Sequence, residues 1–133
     1  MNATVPKTAV HILIAIVLLL IALSFVLVFA NTHPPRYPLN VPPSRFSAAY
    51  EDVSFRTEDG IMLKGWFLPP ETGNGKAPGV IVCHGLGANR SDFTDLAVTL
   101  ARAGYAVLTF DFRAHGESGG SRTSLGYHEQ KDI

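Results

Sequence analysis

The chain has 133 residues, with eleven Lys and Arg balanced by eleven Asp and Glu, so it carries no formal net charge at pH 7. No basic stripe or arginine-rich run is present, which removes the electrostatic footprint of a nucleic-acid-binding protein. The hydrophobic share of 47 % is inflated by one N-terminal segment. Behind that segment lie roughly 80 residues of globular-looking sequence, a small number for a parallel-sheet domain. Cys83 is the single cysteine, so no intrachain disulfide forms and the redox compartment cannot be read from it.

Thr8 to Thr32 contains no Asp, Glu, Lys or Arg, and Ile12 to Ala30 is apolar but for Ser24. As a helix, Ala9 to Ala30 spans about 33 Å, enough to cross a hydrocarbon core of about 30 Å. This predicts a membrane anchor over residues 9–30, preceded by a tail of residues 1–8. A cleaved secretory signal is the rival reading, because Val28-Phe29-Ala30 is an acceptable cleavage tripeptide. The apolar region of a signal, however, is usually only about 7–15 residues long. Lys7 flanks one side, and Arg36 and Arg45 flank the other, offset by Glu51 and Asp52. Basic residues therefore barely choose an orientation; the expectation is a single pass with the tail inside and the rest exported.

Residues 31–49 form a proline-rich linker, with five prolines between Asn31 and Ser44. They exclude helix and favour polyproline II, so the linker reads as a semi-rigid stalk holding the next domain up to about 40 Å from the bilayer. An SH3-type ligand is the other use of such a run.

The remaining domain spans residues 50–133. Glu51 to Thr57 alternates as a strand, Asp59-Gly60 signals a hairpin turn, and Ile61 to Leu68 is the return strand, stopped by Pro69-Pro70. After the loop Glu71 to Lys76, Val80 to Cys83 is an apolar run of the kind buried on both faces of a parallel sheet. The glycine-rich turn His84-Gly85-Leu86-Gly87 follows, with Ser91 and Asp92 as helix-start residues. Phe93, Leu96, Ala97 and Leu100 then keep helical spacing for a buried face closed by Gly104. Tyr105 to Phe110 is a second buried-type strand, so a parallel βαβ unit is expected. Asp111 to Ser124 is a polar loop, and Gly126 to Ile133 resembles the opening turns of a helix.

Four motifs occur in order: Val53-x-Phe55-x-Thr57-x-Asp59-Gly60-x-x-Leu63-x-Gly65-Trp66; His84-Gly85-Leu86-Gly87; Asp111-Phe-Arg113-Ala-His115-Gly116-Glu-Ser118; and Gly126-x-x-Glu129-x-x-Asp132. Over about residues 50 to 133 the sequence resembles the N-terminal part of an α/β-hydrolase, nearest to bacterial serine hydrolases similar to dipeptidyl or acylaminoacyl peptidases and esterases. The resemblance implies an α/β fold with a mostly parallel sheet, here its N-terminal half, a β-hairpin followed by the βαβ unit. It also implies a Ser nucleophile at a strand-to-helix elbow, followed in the chain by Asp and His, all beyond Ile133. The chain then reads as incomplete, lacking the catalytic triad and inactive by itself. By the same resemblance His84, Gly85, Leu86 and Gly87 form the oxyanion loop, with the Leu86 backbone N–H as one donor. No cofactor or metal is called for, and the substrate is a small molecule or peptide with an ester or amide bond.

Each motif has a plainer reading. The His84–Gly87 loop is also what an ordinary strand-to-helix turn needs, and a dinucleotide fingerprint fits worse, because Arg90 stands where its third glycine belongs. Cys83, inside an apolar strand, reads as a small core residue. Gly116-Glu-Ser118-Gly-Gly120 is a literal G-x-S-x-G, but the strand ends near Phe110 and a poor helix opening follows, so Ser118 reads as a loop residue. Asp111 and Arg113 are expected to pair with each other, with His115 packed near the oxyanion loop. His128, Glu129 and Asp132 match no strong metal pattern and read as a solvated helix face. A non-catalytic, membrane-tethered interaction module on a truncated hydrolase fold is the alternative function, and an acyltransferase on the same scaffold shares the loop.

Overall fold

The computed structural model describes residues 6–73 and 76–133. Residues 1–5 of the expected tail, and Gly75 of the loop before the central strand, lie outside the described residues. The chain divides into two units, residues 1–32 and 33–133.

In the first unit, Lys7–Thr32 is a single α-helix, α1, and none of its residues is buried. It runs without interruption through the expected 9–30 segment. Its side-chain hydroxyls and amide turn back on the helix itself: Ser24 Oγ donates to the Leu20 carbonyl at 2.8 Å and Asn31 to the Leu27 carbonyl at 2.8 Å. Ser24, Asn31 and Thr32 thus satisfy a side-chain donor within the helix itself.

The second unit is a four-stranded sheet with spatial order β1-β2-β4-β3. Strand β1, Glu51–Arg56, pairs antiparallel with β2, Met62–Leu68, through the Asp59-Gly60 turn, where Gly60 takes φ +87°. Strand β2 continues antiparallel to β4, Ala106–Asp111, and β4 pairs parallel with β3, Gly79–Cys83. The hairpin followed by a parallel β-helix-β unit is the expected arrangement. The helix between β3 and β4, α2, covers Thr94–Arg102 and is entered through a 3-10 turn at Arg90–Phe93.

Helix α2 covers one sheet face only. Trp66, Leu68, Val82 and Val107 face Ala97, Val98 and Ala101 in the core. The opposite face keeps Leu63 and Phe110 buried, but Ile81 is 49 % exposed. Three expectations change accordingly. Strand β3 is not buried on both faces: it is the sheet edge, and Cys83, at its end, is exposed rather than a core residue. The buried stripe of α2 is Thr94, Ala97, Val98 and Ala101, whereas Phe93 and Leu96 are exposed. Small residues pack inward because they let the helix approach the sheet closely around Trp66. The 3-10 turn before α2 is capped by Asn89, not Ser91: the Asn89 side chain accepts from the Ser91 N–H at 3.0 Å, and α2 itself starts at Thr94 without a side-chain cap.

The proline-rich stretch is not a free stalk. Pro43 and Ala48 are buried, and Leu39 and Phe46 pack against the core. The carbonyls of Tyr37, Pro38, Val41 and Phe46 accept side-chain hydrogen bonds from Asn89, Thr94 and Arg102. Prolines remove donors but leave every carbonyl available, so an extended proline-rich segment can be bound along its length by side-chain donors.

Gly65 marks the tightest approach in the sheet. A Cβ there would lie 2.7 Å from the Thr109 carbonyl oxygen and 3.0 Å from Phe110 Cβ, whereas one at Gly79 would meet nothing within 4 Å. Gly65→Ala is therefore expected to lower the free energy of unfolding by about 1–3 kcal/mol. Gly79→Ala should change it by no more than about 0.5 kcal/mol. Denaturant titration of the two variants checks the contrast.

Candidate active site

Where β3 ends, the chain turns through His84-Gly85-Leu86-Gly87, with Gly87 at φ +71°. The loop is closed by hydrogen bonds that leave the Gly85 and Leu86 N–H groups aside. The Ala88 N–H donates to the Gly85 carbonyl at 3.3 Å, and the Gly87 N–H donates to His115 Nε2 at 3.2 Å. The Leu86 N–H takes part in none of these bonds. Beside it lies a cavity of about 240 Å³ lined by His84, Gly85, Leu86, Phe112, His115, Leu125 and Glu129, among others.

Two buried imidazoles hold the loop in place. His84 Nε2 accepts from the Phe112 N–H at 3.0 Å, which leaves Nδ1 as the donor to the Gly85 carbonyl at 2.7 Å. His115 Nε2 accepts from Gly87, so its Nδ1 donates to the Arg113 carbonyl at 2.9 Å. Both rings are neutral in this arrangement, since a protonated Nε2 has no lone pair to accept with. Their centroids lie 4.9 Å apart. Burial pushes the His84 pKa below its ordinary value. The expected packing of His115 near the loop is present; neither histidine is free to act as a base.

The Asp111 loop is organised differently from expectation. Asp111 pairs with Arg90, not Arg113: its carboxylate accepts from the Arg90 backbone at 2.7 Å, from Arg90 Nη1, and from the Glu117 N–H at 3.0 Å. The guanidinium lies 4.6 Å from the Trp66 ring centroid and also meets Glu117 at 2.6 Å. Asp111 ends β4 on the α2 side of the sheet, where the Arg90 turn arrives. The chain reverses after it, so Arg113 is carried to the hairpin and binds Asp59 at 2.8 Å and Asp132 at 2.5 Å. The Arg113 hydrogen bond, followed by that of Thr57, lowers the Asp59 pKa to about 2.

Ser118 is buried, its Oγ donating to the Asp111 carbonyl at 2.5 Å and accepting from the Lys64 N–H at 2.9 Å. Both capacities of the hydroxyl are used in joining the loop to β2, which accounts for the serine without a nucleophilic role. Ala114 adopts φ +62°, the left-handed conformation that glycine takes more readily.

Residues after Gly126 form only a short 3-10 turn, Glu129–Lys131. Glu129 and Asp132 are buried rather than solvated. Burial opposes ionisation of Glu129, but bonds from the Ser124 hydroxyl, the Ser124 N–H and the Gly126 N–H outweigh it and lower its pKa to about 2. Glu129 thereby fixes the turn that carries Leu125 and Gly126 to the cavity wall. Among the described residues, no three His, Cys, Asp or Glu side chains are gathered for a metal. Sequence reasoning missed Arg90 and Asn89. Asn89 had a readable signal, being a strong capping residue just before the turn.

Because the native His84 binds its proton less readily than the unfolded chain does, stability is full above the unfolded pKa of 6.5 and falls as pH drops below it. Thermal unfolding between pH 8 and 5 should show this loss. His84→Gln, which keeps an acceptor but does not titrate, should make the slope shallower.

Comparison with known proteins bears on this geometry directly. A family model described as alpha/beta hydrolase fold matches residues 78–132. The esterase Pf2001 of Pyrococcus furiosus is 40 % identical with a TM-score of 0.66, over 75 % of this chain and 38 % of the esterase. An uncharacterised protein of Mycobacterium tuberculosis is 41 % identical over 78 residues, 59 % of this chain and 27 % of that protein. A thiohydrolase of Eupenicillium brefeldianum is 32 % identical over 79 residues, 59 % of this chain and 25 % of that enzyme. The chain thus spans about a quarter of the length of these curated relatives. Residues 78–132 are thus similar to the alpha/beta hydrolase fold, and the chain's hairpin and parallel unit form an α/β sheet of the kind that likeness implies.

Proposed function

We propose that this protein is a membrane-anchored serine hydrolase of carboxylic ester bonds, in which His84-Gly85-Leu86-Gly87 is the oxyanion loop. The observation that carries the reading is the Leu86 N–H, left out of the loop's own hydrogen bonds beside a cavity. Attack on an ester carbonyl moves charge onto its oxygen. A backbone donor already fixed at that point stabilises the charge without reorganising, an effect typically of about 3–4 kcal/mol.

The chain's own residues divide the work as follows. His84 and His115 are neutral and occupied at both nitrogens, so they hold the loop and transfer no proton. Ser118 is committed to the Asp111 carbonyl. In this reading the chain supplies the oxyanion half of the site, and the nucleophile, base and orienting acid are none of its residues. The esterase and thiohydrolase among its relatives favour an acyl–oxygen or acyl–sulfur bond over a peptide bond. Residues 9–30 are the anchor in this proposal, supported by an uninterrupted apolar helix with no buried residue. The hydrolase domain stands on the exported side.

Leu86→Pro removes the donor and should lower kcat for a p-nitrophenyl ester by about 10²–10³-fold. Leu86→Ala, which keeps the N–H and alters only an exposed side chain, should stay within a few-fold. Hydrolysis by the full-length protein in detergent is the measurement; equal loss in both variants would falsify the backbone role.

A further inference from the structure

The segment just before the domain reaches both loops that border the oxyanion turn. Arg36 Nη1 lies 2.9 Å from the Gly116 carbonyl oxygen and 2.6 Å from that of Ser118, with the His115 carbonyl at 3.4 Å. Its Nη2 lies 2.7 Å from the Gly120 carbonyl oxygen. The same loop turns its other polar groups inward: the Glu117 N–H goes to Asp111 and the Gly119 N–H to the Met62 carbonyl at 2.7 Å. Its outer side is therefore a concave group of carbonyl oxygens, the negative ends of their dipoles, and a planar cation with several donors fills it.

A few residues further on, the chain grips the other side of the turn. Asn89 Nδ2 donates to the Tyr37 and Pro38 carbonyls at 3.1 and 3.2 Å. Thr94 Oγ1 donates to the Val41 carbonyl at 2.6 Å, and the Asn40 N–H reaches Ser91 Oγ at 3.4 Å. Residues 36–41 thus join the 115–120 loop, whose His115 holds Gly87, to the 89–94 turn that leaves the oxyanion loop. Leu86 directly precedes Gly87, the residue that His115 holds. Prolines at 35, 38 and 42 limit the freedom of the segment before it docks, which reduces the entropy lost on binding.

We propose that residues 36–41 are a strap that sets the geometry of the oxyanion loop, with Arg36 as its positioning residue. The catalytic part of this inference rests on the hydrolase reading above; the structural part does not. Arg36 touches no reacting atom and acts through the 115–120 loop and His115.

The test compares Arg36→Ala, Arg36→Lys and Arg45→Ala in the full-length protein in detergent, with Arg45 an exposed neighbour outside the strap. Amide hydrogen exchange is followed at Gly87, Ala88 and Val107, and kcat and KM are measured for a p-nitrophenyl ester. Arg36→Ala should speed exchange at Gly87 and Ala88, whose N–H groups are hydrogen-bonded, about tenfold or more while Val107 is unchanged. It should lower kcat by about tenfold, less than outright loss of an oxyanion donor, with KM within about twofold. Arg36→Lys, which keeps the charge but not the fork, should fall between Arg36→Ala and wild type, and Arg45→Ala should match wild type. Unchanged exchange at Gly87 and Ala88 in Arg36→Ala overturns the strap. So does equal acceleration at Val107, which marks general destabilisation. If Arg36→Ala does not fold, Arg36→Lys decides by the same two readouts. Absence of ester hydrolysis in the wild-type protein counts against the hydrolase reading, and the exchange arm still decides the strap.

Discussion

Asp111 sits at the end of β4 with its carboxylate fully buried, and the loops above the sheet are assembled on it. It accepts the backbone N–H of Arg90 from one loop and that of Glu117 from another, while the Arg90 side chain closes the pair beneath Trp66. A buried carboxylate without these partners is strongly disfavoured, so the two loops are obliged to meet over the sheet end. Gly116 is what lets them do so, since a Cβ there would lie 2.2 Å from the Asp111 carboxylate. The pair is better regarded as a device that fixes geometry than as a source of net stability. Burying two charges costs nearly what their attraction returns.

From that fixed point the geometry of the His84–Gly87 loop follows by short steps. The Asp111 loop carries His115, and His115 accepts Gly87, so one nitrogen lone pair links the loop after β4 to the loop after β3. His84 closes the same gap from the other side through Phe112. These links require neutral rings, which ties the shape of the loop to protonation without either histidine acting in proton transfer. Arg113 with Asp59 and Asp132 forms a second, separate brace, holding the hairpin to the last 3-10 turn.

The fold was legible in the sequence because its signals are local. Val53 and Phe55 alternate, Asp59-Gly60 turns the chain, and two apolar runs flank a helical pattern, each within a window of a few residues. What was misread depends on contacts between distant segments. Asp111 and Arg113 are two apart and of opposite charge, so proximity suggested a pair. Their partners come from 21 and 19 residues away, at Arg90 and Asp132, and reversal of the chain after β4 decides the choice. The proline-rich stretch likewise carries its composition openly, but nothing local says that Asn89, Thr94 and Arg102 will bind its carbonyls. The α2 face was misassigned for a related reason. Apolar spacing fits two adjacent stripes, and the bulk of Trp66 on the facing sheet selects the one with small residues.

The glycine-rich loop shows where sequence and geometry meet. Two glycines announce a tight turn, and that signal is shared by ordinary connections and by oxyanion loops alike. What separates the two is the disposition of donors. The Ala88 N–H turns back on the loop through the Gly85 carbonyl, and the Gly87 N–H is held by His115 of the loop after β4. Leu86, between Gly85 and Gly87, has its N–H uncommitted to these bonds, beside a cavity. The surrounding structure spends two buried histidines and an arginine fork on keeping that segment in place. This bracing around the Leu86 amide is what supports the oxyanion role proposed for the loop.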